Sequence, residues 1–281
     1  MPGTLYVVAT PIGNLGDITL RAVETLRACP HVAAEDTRRA RVLLQHLGIH
    51  TRPASLPAFD ERGRADAVLA PVRAGEDLAL VTDAGTPAIS DPGGALVALA
   101  VTQGIAVVPI PGACAAVAAV SVSALPADRF AFLGFLPRKG GARRTLLETM
   151  RSLTLAMVLY ESPHRIAETC ADLAHAWGNR RAVVARELTK LHEELVRGTL
   201  TELAERLGQG AVKGEIVLVV EGAAESESEV PMTDEALRAE ILRQLQGGQR
   251  SIKDVSSALA ASLGRPRSEL YALALELAGK R

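Results

Sequence analysis

The chain has 281 residues, 48% of them hydrophobic and 22% charged, with a formal net charge of −1. That is about two domains' worth of chain, enough to bury a core unaided, and the balance excludes intrinsic disorder and a globally basic nucleic-acid coat while leaving room for locally basic patches. The 3% aromatic content argues against a surface that stacks many bases, and Cys29, Cys114 and Cys170 are too widely spaced for a disulfide framework or a zinc site, so packed thiols and no metal are expected.

In chain order, Leu5–Ala9 reads as a buried first strand. Its apolar run is short and has no basic leader before it, and nowhere do about 18 apolar residues run together. A soluble, reduced, cytoplasmic protein with no membrane partner is the expectation. A Pro/Gly/Asn/Asp loop (Thr10–Asp17) precedes a helix over Thr19–Ala28. A short strand at Val32–Ala34 feeds a basic helix over Thr37–Leu47, and one amphipathic helix is predicted over Asp60–Ala74. Strand Leu78–Thr82, a Gly/Pro loop, helix Gly93–Gln103, strand Ala106–Pro109 and the small-residue helix Ala113–Ser123 follow. A second series runs through strand Ala131–Phe135, helix Ala142–Ser152, strand Leu155–Tyr160, helix Pro163–Ala176 and strand Arg181–Arg186. It closes with a further strand near Glu193–Arg197, helix Thr199–Leu207 and strand Glu215–Val220.

Glu221–Pro231 is acidic, Ser-rich and almost free of large apolar residues, which marks a linker. Three short helices are predicted beyond it, over Asp234–Gln246, Ser251–Leu263 and Pro266–Leu277. Ser251 and Asp254 have capping-box spacing, Gly264 is placed to end the second helix, and Pro266 suits the third helix's first turn. The fold class is therefore α/β, with two α/β units (1–125 and 126–223) and a small helix-turn-helix-like helical domain (232–281).

Three loops stand where an α/β sheet presents its carboxyl edge. Thr10–Asp17 is not GxGxxG and not a P-loop; it is either a ligand loop or an ordinary strand–helix turn. Thr82–Gly93, twelve residues of mostly Gly, Pro, Ser, Thr and Asp, is longer than most such connections. Pro111–Ala124 opens a helix with small side chains, which admit a flat ligand or simply another helix.

Taken in order, "VVATPIGNLGDITLRA", "AAEDTRRAR", "VTDAGTPAISDPG", "PIPGACAAVAAVSVSAL", "FLGFLPRKG", "YESPHRI", "ARELTKLHEE" and "KGEIVLVVEG" resemble the tetrapyrrole-methylase superfamily, and more closely its branch that methylates cytidine 2′-hydroxyls of 16S rRNA. The resemblance covers about Leu5 to Glu221, and the helical tail is similar to that branch's appended domain. It implies S-adenosylmethionine as methyl donor in the cleft between the two α/β units. It also implies a homodimer acting on the small ribosomal subunit. By local alignment it carries donor-binding roles to Ile12, Asp83, Ala84, Gly85, Ala88, Val120, Ser121, Glu161, Leu188 and Glu215. Porphyrin-type members usually have Gly-Gly-Asp-Pro where this chain has Asp83-Ala84-Gly85-Thr86-Pro87.

A ribose hydroxyl is a weak nucleophile, so it needs alignment, worth about 7–11 kcal/mol, and proton removal, worth about 10²–10⁴-fold. Glu35 and Asp36 end the second strand, with Arg38 following; His164, Arg165, Glu187 and Lys190 are further candidates. The expectation is Asp36 as base or orienter, with Arg38 and Lys190 as phosphate or oxyanion partners; the competing role for Glu35 and Asp36 is simply to cap the helix at Thr37. RNA contacts need local positive charge. Candidates are Arg38 and Arg41 on one helix face, the run Arg138, Lys139, Arg143 and Arg144, and Arg250, Lys253, Arg265 and Arg267 in the tail. Two other readings remain open: a methyltransferase of a small tetrapyrrole or corrinoid precursor, and a non-catalytic ribosome-assembly factor.

Overall fold

A computed structural model describes residues 2–224, 234–246, 251–263 and 266–279. Contacts divide the chain into two compact units, Met1–Ala223 and Ala224–Arg281.

The first unit is built on two five-stranded sheets. The first sheet contains β1 (Thr4–Val8), β2 (His31–Ala34), β3 (Ala54–Ser55), β4 (Leu78–Val81) and β5 (Ala106–Ile110), in the order β3-β2-β4-β1-β5 and parallel throughout. Side-chain alternation explains why β4 is apolar at every position. Leu78 and Leu80 pack with α3 (Glu61–Val68), α4 (Ala70–Arg73) and α5 (Gly94–Thr102), whereas Ala79 and Val81 pack with α1 (Leu20–Ala28) and α2 (Thr37–His46).

The second sheet contains β6 (Phe130–Phe135), β7 (Ala156–Glu161), β8 (Arg181–Arg186), β9 (Glu194–Thr199) and β10 (Ile216–Val220), ordered β6-β7-β10-β8-β9. Only β6 and β7 pair in parallel, so this sheet is mixed. One face is covered by α7 (Gly141–Met150), α8 (Ile166–Trp177) and α9 (Leu200–Gly208). On the other face, Val158, Val217 and Val219 meet Ala116 and Ala119 of α6 (Ala115–Val122). The small side chains of α6 thus serve a close helix-on-sheet contact that fuses the two α/β halves.

Most elements fall where the sequence places them. The exception is the single helix predicted over 60–74, which breaks at Leu69 into α3 and α4. Pro71 lacks an N–H and its ring crowds the preceding turn, so an unbroken helix cannot pass through it. The two-residue β3 is too short to leave a pattern in the sequence.

The second unit consists, among its described residues, of α10 (Asp234–Gln246), α11 (Ile252–Leu263) and α12 (Arg267–Leu277). Leu237, Ile241, Val255, Leu259, Leu270 and Ala274 form its core. The Asp254 amide donates to Ser251 Oγ, and the Ser251 amide donates to Asp254 Oδ2, both at 3.2 Å, which is the reciprocal cap that the spacing predicts. Gly264, Arg250 and Arg265 lie outside the described residues. No described helix is long and apolar enough to cross a membrane.

Candidate functional site

The loops after β1 and β4 leave the carboxyl edge of the first sheet side by side. A two-way backbone bridge clamps them: Thr10 N donates to Gly85 O at 2.8 Å, and Gly85 N to Thr10 O at 3.1 Å. Gly85 has φ 79°, a conformation that costs glycine least. Across from these loops, the second half contributes the ends of β7 and β8 and the start of β10. Between them lies a cavity of about 370 Å³.

Four non-glycine residues with left-handed backbone sit in the two loops that bound this cleft: Ala88 (φ 68°) and Ser90 (φ 65°) after β4, Glu187 (φ 50°) and Thr189 (φ 66°) after β8. Such conformations cost of order 1–3 kcal/mol each and persist only where surrounding contacts hold them. The contacts are visible at the second loop. Glu187 N donates to Glu215 O, and Glu215 N donates to Glu187 Oε1, each at 3.0 Å. Lys190 Nζ closes the knot with 2.8 Å bonds to Glu187 Oε1 and Glu215 Oε2. The Lys190 stem also crosses to the first half, where a Cβ on Gly13 would stand 2.5 Å from its Cγ. Burial disfavours the Lys190 charge, but the bonds to Glu187 and Glu215 outweigh it and raise its pKa. Lys190 therefore ties Glu187 to Glu215 while its stem packs on the first half, and two of its three donors are engaged.

Of the donor positions expected from the sequence, Ile12, Ala84, Gly85, Glu161, Leu188 and Glu215 line the cavity. Asp83 borders an adjoining trough of about 320 Å³ that shares Ile12, Ala84 and Glu215 with it. Three further expected positions do not line the cavity. Ala88 is exposed on the turn, Val120 packs on the second sheet, and the exposed Ser121 gives its hydroxyl to Ala118 O at 2.8 Å. It is the first turn of α6, at Cys114 and Ala115, that meets the cavity. About one and a half to two helical turns separate the two ends, and a run of small residues gives local alignment little to fix its register.

Glu161 is 3% exposed and fully engaged. It accepts from Ser162 N (2.8 Å) and Thr169 Oγ1 (2.7 Å), and Arg165 Nη1 lies 3.4 Å away.

Asp36 caps α2. Its Oδ1 accepts from Arg38 N at 2.8 Å and Arg38 Nε at 3.1 Å, and its Oδ2 meets Arg38 Nη2 at 2.7 Å. The Arg38 guanidinium holds this carboxyl well below the usual carboxylate range. A carboxylate so stabilised is a weak proton acceptor, which disfavours the base half of the base-or-orienter expectation, while its bonds to Arg38 fit the competing capping role.

Among the expected RNA contacts, Arg143 departs most. It is 7% exposed, with Nε 2.9 Å and Nη2 2.8 Å from Asp172 Oδ2, and it also donates to Pro137 O and Thr169 Oγ1 at 3.2 Å. It anchors the 137–144 segment and is not presented to a ligand. Arg41, Arg138, Lys139, Arg144, Lys253 and Arg267 are exposed.

Sequence reasoning missed Asp91, Cys114, Phe135 and Tyr160, all of which line the cavity. Asp91 stands in the Ser-Asp-Pro-Gly end of the long loop, where the acid reads as a helix cap. Its carboxyl is pushed up to about 6, by burial first and then by the charges of Glu35, Asp83 and Glu215. Burial also raises the Tyr160 phenol to about 12. Cys29 and Cys170 are buried as expected, and burial lifts their thiols to about 11 and about 12.

A cleft between two α/β halves, edged by backbone loops at the carboxyl ends of strands, is where such a fold binds a small ligand. The model for Tetrapyrrole (Corrin/Porphyrin) Methylases matches residues 4–204, and the chain belongs to that family. Over 276 residues, 98% of each chain, it is 46% identical to a protein of Synechocystis sp. named ribosomal RNA small subunit methyltransferase I. A Pseudomonas aeruginosa protein of the same name is 43% identical over 99% of each chain. Among solved structures, the fold is similar to uroporphyrin-III C-methyl transferase from Thermus thermophilus complexed with S-adenyl homocysteine (TM-score 0.60, 20% identity, 78% of this chain and 97% of that one). It is also similar to diphthine synthase (TM-score 0.63, 18% identity, 78% and 90%).

Proposed function

We propose that this protein transfers the methyl group of S-adenosylmethionine to the ribose 2′-hydroxyl of a cytidine in 16S rRNA of the small ribosomal subunit, in the cytoplasm and as a homodimer. The observation that carries this reading is near full-length likeness, at 46% identity, to a protein named for small-subunit rRNA methylation.

The cleft suits such a donor. Apolar walls from Ala185, Leu188 and Val217 can face an adenosine, and Gly85 would bring a Cβ within 3.4 Å of Ile12, so backbone lies close to the cavity. Cys114, the N-cap of α6, makes no side-chain cap bond, and the first turn of the helix opens on the cavity beside Tyr160. Asp91 and Glu215 in the cavity wall favour a cationic ligand. When bound, the donor supplies a methyl group on a positively charged sulfur. The chain's part is to align the hydroxyl and take its proton.

Arg41, Arg138, Lys139 and Arg144 are exposed, and none has an acidic partner among the described residues, so they are free for phosphates. Lys253 and Arg267 extend this role to the helical unit as two further exposed cations.

Incubation with methyl-tritiated donor and 30S particles, naked 16S rRNA or a corrinoid precursor tests the reading. Label in one alkali-resistant dinucleotide of the RNA is expected; label in the corrinoid alone, or in nothing, refutes it.

A further inference from the structure

The carboxylates that border the cleft, Asp91 and Glu35 apart, are committed to side-chain or charged partners, and Glu35 takes a hydrogen bond from the Asp83 backbone with the Arg39 charge nearby. Asp36 is held by Arg38. Asp83 accepts Asp36 N at 3.1 Å and pairs with Arg39 at 3.4 Å. Glu161 is occupied by Ser162, Thr169 and Arg165. Glu187 and Glu215 share the Lys190 ammonium. Asp91 lines the cavity, and no hydrogen bond or ion pair engages its carboxylate among the described residues.

An acid in a Ser-Asp-Pro-Gly turn ordinarily caps the helix that follows. Here the cap comes from elsewhere. The amides of Ala95 and Leu96 in the first turn of α5 donate to Glu61 Oε1, at 2.7 and 3.0 Å. Asp91 is thus released from the local structural task its sequence context suggests, and is left half-buried in the cavity wall. The neighbouring Ser90 is held in left-handed backbone, against a Gly134 whose Cβ, if present, would stand 3.1 Å from Ser90 Oγ. Gly134 lies at the register shift in the β6–β7 pairing, so this strained turn is seated against the second half of the cleft.

We propose that Asp91 is the general base of this cleft, accepting the proton of the acceptor hydroxyl. The proposal rests on the ribose-methylation reading above. As the hydroxyl oxygen bonds to the methyl carbon, the carbon–sulfur bond breaks and its electron pair stays on sulfur. The sulfonium charge is thereby lost, and the hydroxyl proton passes to an Asp91 carboxylate oxygen.

The surroundings suit the task. Glu35, Asp83 and Glu215 are the charges that face Asp91, and all are negative. The nearby cations Arg39 and Lys190 are taken up by Asp83 and by Glu187 and Glu215. Tyr160, also in the cavity wall, is a neutral phenol that adds no charge, its pKa pushed up further to about 12 by burial. At about 6, Asp91 is ionised at neutral pH yet more basic than an ordinary carboxylate, which is the compromise general-base catalysis favours.

The test compares wild type, Asp91→Asn and Asp91→Glu for methyl transfer to 30S particles between pH 5 and 8.5, alongside calorimetric binding of S-adenosylhomocysteine. We expect wild-type kcat/KM for the donor to rise with pH and level off above about 6. Asp91→Asn is expected to lose about 10²-fold or more in kcat, to lose that acid limb, and to bind the cofactor product within about threefold of wild type. Asp91→Glu should keep the limb and recover part of the rate. The proposal is overturned if Asp91→Asn retains turnover within about threefold, keeps the limb, or loses cofactor affinity in proportion to rate, the last making Asp91 a donor ligand. If the wild-type protein itself methylates no 30S RNA, the ribose reading fails first and takes this assignment with it.

Discussion

Replacing Arg143 by Ala separates an anchor from an RNA contact. The guanidinium makes two short bonds to Asp172 and longer ones to Pro137 O and Thr169 Oγ1, and Thr169 in turn donates to Glu161 in the floor of the cleft. Bonds to charged groups are worth about 1.5–3 kcal/mol, and stripping a fully buried pair of one member costs about 3–5 kcal/mol. Asp172 is 43% exposed, so water recovers much of its stranded charge and the upper figure does not apply. A loss of about 2 kcal/mol remains, from the buried Thr169 and Pro137 contacts and the lost packing. For a unit of this size that lowers Tm by about 4–8 °C. Arg144→Ala, one residue along and exposed, should leave Tm unchanged and reduce the slope of log affinity against log salt for 30S RNA by about 1. Differential scanning calorimetry and salt-titrated filter binding on both variants read the contrast. If Arg143→Ala melts with the wild type and weakens RNA binding as Arg144→Ala does, the anchoring argument is wrong.

Asp36→Asn should keep methyl transfer within about threefold, because Asn caps a helix about as well as Asp; a tenfold loss with cofactor affinity intact would restore Asp36 to the chemistry. Gly13→Val should displace the Lys190 stem, since even a Cβ there would stand 2.5 Å from Lys190 Cγ, and weaken cofactor binding about tenfold or more by calorimetry; unchanged binding would show that the Lys190 contact with Gly13 does not brace the cleft. Among the thiols, Cys114 should be alkylated in the native protein and protected by S-adenosylhomocysteine, while buried Cys29 and Cys170, with pKa values near 11 and 12, react only on unfolding. Mass spectrometry of iodoacetamide-treated protein checks this, and early labelling of Cys170 would contradict it. Asp91 also carries a stability signature. Its folded pKa lies above the unfolded value, so its contribution is fully present below about pH 4 and is lost as pH rises through about 6. Apo Asp91→Asn should therefore melt above wild type at pH 7.5 and converge with it near pH 4; parallel melting curves would show that the site does not penalise the charge.

The sequence made the fold legible because its strands announce themselves twice, by β-branched apolar runs and by the Gly/Pro loops that end them. Leu78–Val81 is apolar throughout because both faces of β4 are covered, and an uninterrupted short run is what such a strand must look like. The break at Leu69 is marked in the sequence by Pro71, although the amphipathic pattern continues past it. The site was legible only as loops. Its backbone cradle can be inferred from turn residues, but which side chain is free cannot, because freedom depends on partners remote in sequence. Asp36 and Asp91 look alike on paper, each an acid just ahead of a helix. One is consumed by Arg38, two residues on; the other is spared because Glu61, thirty-four residues upstream of the Ala95 amide, does the capping. Likewise Arg143 and Arg144 are neighbours of the same type, and only the turn of α7 decides that one is sealed against Asp172 while the other faces water. Local pattern therefore nominates residues for this cleft, and the long-range hydrogen bonds choose among them.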